Sequence, residues 1–312
     1  MKRGAGRVPA AIGVLASVAV LLSSATASAT FPGRNGAIAF NRASAIDNTC
    51  CFPRIFAMRP DGHDQHQLTS DPLGIDDGSA AFAPDGRKIV FSRGTQGRHH
   101  IYVMGAAGYH RRRLTNAAAD DSEPAFSPDG RRIVFARHVQ GVTCLYVMRS
   151  DGTHVRQLTS HGPEALDADP SFSPDGHKIV FARNDAIYVM RSNGSDERLL
   201  TPMAGSGSAL VADSPDFSPD GREIAFESNR NGALRVWVMH VSGKHQRAIG
   251  PAGGGEPAFS PDGREIAFTR TVRGNGFDNL EVWVMRADGS HPYRLARSTF
   301  GDNGAAWQPL SE

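Results

Sequence analysis

Cysteine is scarce in this chain: Cys50, Cys51 and Cys144 are the whole supply in 312 residues. Three is odd, so one thiol is left over however the others pair. Two pairings stay open, Cys50 or Cys51 with Cys144, or a vicinal bridge between Cys50 and Cys51. Long apolar runs are lacking too, since the one from about Ala10 to Leu22 falls short of the ~20 residues that span a bilayer. The His63/His66 and His99/His100 pairs have no HExxH context and no GxSxG occurs, so neither zinc-hydrolase nor nucleophile-elbow signatures are present. Their absence does not exclude an enzyme, because a site assembled from several loops leaves no local motif. An excess of one charge is also missing. Lys2, Arg3 and Arg7 fall in a leader-like stretch, and without them 31 of the 34 basic residues face 32 acidic ones. That balance gives no sign of a nucleic-acid partner.

What is present is repetition. The unit Ser122–Thr159, SEPAFSPDGRRIVFARHVQGVTCLYVMRSDGTHVRQLT, recurs, with its triplet at Ile133, Val134 and Phe135 echoed at Ile38, Ile89, Ile179, Ile224 and Ile266. The six copies stand 51, 44, 46, 45 and 42 residues apart. A period near ~45 residues in units of short strands is that of a four-stranded propeller blade. Within the unit, Pro124–Ser127 reads as a first strand that turns at Pro128, Asp129 and Gly130. Arg132–Arg137 reads as a second strand of branched and aromatic residues. Leu145–Arg149 reads as a third, and Ser150, Asp151 and Gly152 make a second hairpin into a fourth strand ending at Thr159. Both glycine turns then share one face of the disc, and the variable second-to-third loops and inter-blade links share the other, where binding loops belong.

Met1–Ala29 reads as an export signal: a basic start, an apolar run, and Ala27, Ser28 and Ala29 before the cut. Residues 30–312 form the single remaining domain, expected to be monomeric and without a membrane span. The first unit starts on its second strand, and Gly304–Pro309 at the tail resembles a first strand, with Trp307 in the place of Phe126. The ring is therefore expected to close by pairing its two chain ends, which removes an open sheet edge.

The series SPDG, IVF or IAF, IYVM or VWVM, SDG or ADG, then QLT or RLT resembles the PD40-type, WD40-like repeats of TolB-like six-bladed propellers. The resemblance runs over nearly all of residues 30–312. It implies an all-β six-bladed propeller with four-stranded antiparallel blades. The family's eponymous member is a periplasmic part of an envelope system and carries an amino-terminal α/β domain, for which there is no counterpart before the first repeat here. No binding residue transfers position by position.

Candidate sites follow from repetition. Met58, Met104, Met148, Met190, Met239 and Met285 hold one place in the third strand, two residues after an aromatic, and read as inter-blade packing rather than a soft-metal site. The paired histidines read as solvated turn residues, and Arg111, Arg112 and Arg113 as edge protection on a fourth strand. Ahead of the first strand's aromatic lie Asp77, Asp121, Asp167 and Asp302 at five residues, and Glu123, Asp169 and Glu256 at three. Strand alternation places both sets on one side near the channel mouth, either as turn caps or as a binding site. As oxygen donors, Asp121, Asp167 and Asp302 would suit Ca²⁺. No other cofactor and no catalytic residue is indicated. Two function classes remain: an exported, non-catalytic binding propeller engaging a protein or peptide through the long-loop face and channel, and a metal-assisted hydrolase or lyase acting on a sugar or lactone at the channel mouth.

Overall fold

A computed structural model describes residues 30–46, 50–70, 74–95, 97–162, 164–202, 210–273, 278–298 and 301–311. The leader-like Met1–Ala29 lies outside them. Among the described residues the strands form six antiparallel sheets of four. The innermost strands are Asp302–Leu310 in blade 1, then Asp76–Phe82, Asp120–Phe126, Asp167–Phe172, Ala212–Phe217 and Gly254–Phe259 in blades 2 to 6. No described helix is long and apolar enough to cross a membrane.

Each hairpin is built by its punctuation. In blade 3, Gly130 adopts a φ of 66°, and its N–H donates to the Ser127 carbonyl at 2.8 Å. Asp129 Oδ1 accepts from the Arg131 amide at 3.0 Å and from the Ser127 hydroxyl at 2.5 Å. The inner strand begins at Asp120, four residues before the expected Pro124, and the second and third strands continue past their expected ends to Val139 and back to Val142. The fourth strand is only Arg156–Gln157. Its anchor is Thr159, whose Oγ1 accepts from the Leu145 amide at 2.9 Å. Thr69, Thr115 and Thr201 do the same for Ile55, Ile101 and Ile187.

Blades stack face to face, so the middle strands are buried on both sides. Ile133, Val134 and Phe135 and all their counterparts are 0% exposed, and the six methionines of the third strands are equally enclosed. The ring closes as the repeat phase predicts. Asp302–Leu310 pairs with Arg34–Ile46, with Ile38 opposite Trp307. Trp307 Nε1 donates to the Ala258 carbonyl of blade 6 at 3.2 Å, and Gln308 Nε2 to the Gly86 carbonyl of blade 2 at 2.7 Å. Cys144 is a buried free thiol. Cys50 and Cys51 lie on the third strand of blade 1, but their side chains are outside the described residues.

Candidate functional site

The carboxylates five residues before each aromatic do not gather at the channel mouth. Each meets an arginine directly across the hairpin in its own blade. Asp121 is opposite Arg137 and is held by two bonds, Nε to Oδ1 at 2.6 Å and Nη2 to Oδ2 at 2.9 Å. Asp302 takes the same fork from Arg42 at 2.7 and 2.8 Å. Asp167 is bonded by Arg183 and by Thr159 Oγ1, and Asp77 lies 3.3 Å from Arg93. All four aspartates are 0% exposed. The guanidinium in turn lies over aromatic rings, with Arg137 5.2 Å from Phe135 and 4.8 Å from Tyr146. Asp121, Asp167 and Asp302 are thus committed to separate guanidinium groups, and they do not fit a shared Ca²⁺ site. A planar fork against a carboxylate, with π-stacking on its other side, is what Arg supplies and Lys does not.

Blades 5 and 6 break this pattern. In blade 5 the facing pair is Ala212 and Ser228. Arg230, two residues on, takes the place over Trp237 at 4.8 Å and bonds to Ser228 Oγ and Gln246. With no carboxylate against it, burial pulls its pKa below the usual guanidinium value. In blade 6 the pair is Gly254 and Arg270. Arg270 lies 4.6 Å over Trp283. Opposite it on the third strand, Glu281 is already engaged by Trp283 Nε1 at 3.1 Å and by Arg294 at 3.4 Å. Gln65 and Gln246 reach the guanidinium in blades 1 and 5, whereas the equivalent residue of blade 6 is Pro292. Among the described residues Arg270 has no hydrogen-bonded partner.

The residues three before the aromatic behave differently, because alternation fails there. Ser79, Glu123, Asp169, Ser214, Glu256 and Gly304 all have φ between 48° and 63°. Each sits in a shift of register against the second strand. This β-bulge re-aims the side chain out of its own sheet. Glu123 Oε2 accepts from the Asp169 amide of the next blade at 2.8 Å, and Glu256 Oε2 accepts from the Gly304 amide at 3.0 Å. So the two acidic sets expected on one side occupy different environments. Asp121 is locked within a blade, while Glu123, Asp169 and Glu256 pass from blade to blade around the channel.

Two further carboxylates join them. Glu227 Oε2 accepts from the Glu256 amide at 2.9 Å, and Asp213 hydrogen-bonds with Asp169. Burial pushes Glu123 up to about 7 against the hydrogen bond from Asp169, with Asp213 and Asp120 adding repulsion. Burial, then Asp213 and Glu256, lift Glu227 to about 8. Asp169 is raised by burial and then by Glu123 and Asp213, and Asp213 and Glu256 are raised mainly by burial. Five acids in four consecutive blades, from blade 3 to blade 6, therefore bind protons more tightly than isolated carboxyls do. Asp213 and Glu227 occur once each, off the repeated offsets, and repetition could not flag them. The arginines were legible, since Phe-Xaa-Arg recurs at Phe40, Phe91, Phe135, Phe181 and Phe268.

His99 departs from the solvated-turn expectation. It lies on a third strand, with Nδ1 2.9 Å from Asp120 and Nε2 3.9 Å from Asp76. Burial opposes its charge, but hydrogen bonds to Asp120 and Asp76 win and raise it to about 9. It clasps blade 2 to blade 3. Arg112 and Arg113 are exposed on a fourth strand, as edge protection requires.

Comparison with known proteins agrees with this architecture. Residues 62–209 match the TolB beta propeller domain, PD40. No curated protein matches the chain. The structure is similar to TolB from Acinetobacter baumannii, at a TM-score of 0.70 and 21% identity over 88% of this chain and 67% of that one. It is similar to an Agrobacterium tumefaciens protein described as a TolB, at a TM-score of 0.66 and 24% identity over 87% and 91%. It is also similar to an oligogalacturonate lyase in complex with manganese, at a TM-score of 0.56 and 14% identity over 79% and 71%.

Proposed function

The chain is a TolB-like six-bladed β-propeller with PD40 repeats, and from that premise we propose that it is an exported, non-catalytic binding module of the cell envelope or exterior. Its long-loop face and channel take a peptide segment of a protein partner. The observation that carries this reading is the group Glu123, Asp169, Asp213, Glu227 and Glu256, five acids sharing the channel wall with raised proton affinities and hydrogen bonds running from blade to blade. A lysine or arginine side chain entering from the loop face would relieve that repulsion. Arg270 on Trp283, at the loop end of blade 6, offers a second anchor for a carboxylate of the same segment. Among the described residues no three His, Cys, Asp or Glu side chains are grouped to hold a metal, and the hydrolase or lyase reading gains no support from them.

A labelled Lys-Gly-Lys-Gly peptide with a free carboxyl terminus is a suitable probe, followed by fluorescence anisotropy. Binding should weaken at least about tenfold, the scale of one lost charged contact, in an Asp213→Asn/Glu227→Gln variant and in Arg270→Gln. Amidation of the peptide terminus should reproduce the Arg270→Gln loss. Unchanged binding across these variants would remove the channel from the reading. Millimolar Ca²⁺ in the same titration reports whether an inorganic cation competes for the acidic wall.

A further inference from the structure

Thr30 and Phe31 enter the ring from the turn face of blade 6, where the Gly33 amide donates to the Pro261 carbonyl at 3.2 Å. They are 4% and 3% exposed. Thr30 Oγ1 donates to Asp216 Oδ2 at 2.6 Å and to the Phe259 carbonyl at 3.1 Å, and the Thr30 backbone N–H also donates to Asp216. Asp216 stands immediately before Phe217, where other inner strands carry Ala81, Ala125, Ser171, Ala258 or Ala306. Its remaining donors are the Phe259 amide at 2.9 Å and Ser171 Oγ at 3.2 Å. Every one of these donors is neutral, and Asp216 is 1% exposed. Burial pushes Asp216 up to about 7 in spite of them. A buried carboxylate with neutral donors alone is costly.

We propose that Thr30 is the first residue of the processed protein and that its α-ammonium is the counter-ion of Asp216, sealing the channel at its turn-face end. In a longer chain the Thr30 nitrogen is an amide with one N–H and no charge. Hydrolysis of the Ala29–Thr30 bond by a signal peptidase gives the water oxygen to the Ala29 carboxylate and leaves the Thr30 nitrogen as an ammonium with three N–H groups, already beside Asp216. This rests on the reading of Met1–Ala29 as a removed leader. The leader's own residues place the cut after Ala27, Ser28 and Ala29, and that cut falls at a nitrogen that donates to Asp216. The titratable groups on the inner strands around this point are acids, Asp213 on the same strand, Asp167 and Asp169 on the inner strand of blade 4, and Glu256 on that of blade 6, with Asp167 already paired to Arg183. Residue 214 of the bulge ring is two residues, roughly 7 Å, further along the strand, so the same ammonium also moderates the acidic wall.

The test compares a protein beginning at Thr30 with one retaining Ala29, each with and without Asp216→Asn, which is nearly isosteric and still accepts from Thr30 Oγ1. Acylation of the α-amine near neutral pH should be at least about tenfold slower in the Thr30-start protein than in its Asp216→Asn form, one pKa unit being a factor of ten. Retaining Ala29 should lower the melting temperature when Asp216 is present and have no effect in the Asp216→Asn background. Equal amine reactivity in the two Thr30-start forms, or the same loss from Ala29 in both backgrounds, would overturn the pairing. Intact mass of the exported protein reports separately on the leader: a terminus other than Thr30 defeats the processing reading, while the engineered starts still decide the ion pair.

Discussion

Glu227 shows how a single buried residue contributes to the pH response of the ring. Its proton affinity rises to about 8 in the folded protein, above its ordinary value of about 4.3. The folded state therefore binds the extra proton, and stability falls as pH rises from near that lower value through 8. Glu227→Gln keeps an oxygen for the Glu256 amide and removes the charge. It should raise stability by on the order of 1 kcal/mol at pH 8 and by little at pH 4, measured by urea unfolding at several pH values; a gain independent of pH would mean that Glu227 is not the titrating group. Asp121 has the opposite role. It is fully buried and bidentate to Arg137, so Asp121→Asn should cost about 2–4 kcal/mol, with no dependence on Ca²⁺. Asp61→Asn, at an exposed pair with Arg59 3.4 Å away, should leave stability nearly unchanged. Repetition made Asp121 and Glu123 legible together, but not their divergence. That depends on a left-handed bulge at Ser79, Glu123, Asp169, Ser214 and Glu256, residue types that announce no positive φ; only Gly304 does.

At the scale of the hairpin, the SPDG turns were readable because each residue acts locally, with Asp accepting from the following amide and Gly adopting the left-handed conformation. The strand ends were less readable. The second and third strands run on because nothing in His138–Val142 halts a ladder before the Gln140–Gly141 turn, both with positive φ. The fourth strand is cut to two residues because the Thr hydroxyl, not a longer ladder, ties it down. The turns also feel their neighbours. A Cβ at Gly130 would meet Pro84 Cγ of the preceding blade at 3.4 Å, ordinary contact, whereas one at Gly86 would run into the Pro309 carbonyl of the closing strand. Both glycines have φ of 66°, so the conformational strain is shared. Gly130→Ala should cost about 1–2 kcal/mol from that strain alone, and Gly86→Ala clearly more, because a backbone carbonyl cannot rotate away as a side chain does. Equal losses in thermal unfolding would show that the closing strand yields freely at this point.

The ring as a whole depends on one strand that the two chain ends share. Five blades are contiguous in sequence, and the first is completed only when Asp302–Leu310 returns to pair with Arg34–Ile46. That strand also reaches sideways, through Trp307 to Ala258 of blade 6 and through Gln308 to Gly86 of blade 2, so it fastens three blades. The repeat phase made this legible, since a first strand is missing at one end and a surplus one stands at the other, with Trp307 in the place of the first-strand aromatic. Trp307→Ala keeps the backbone ladder and empties a large buried site, which should cost about 3–5 kcal/mol. Removing everything after Ser298 does more: it deletes the ladder as well, bares the edge of Arg34–Ile46 and the wall of blade 6, and offers both to other copies of the chain. The truncated protein should melt far below the Trp307→Ala variant and elute as oligomers or aggregate in size-exclusion chromatography. If it remained monodisperse and melted no earlier than Trp307→Ala, the ring would be held by its blade-to-blade packing alone, and the closing strand would contribute no more than its tryptophan.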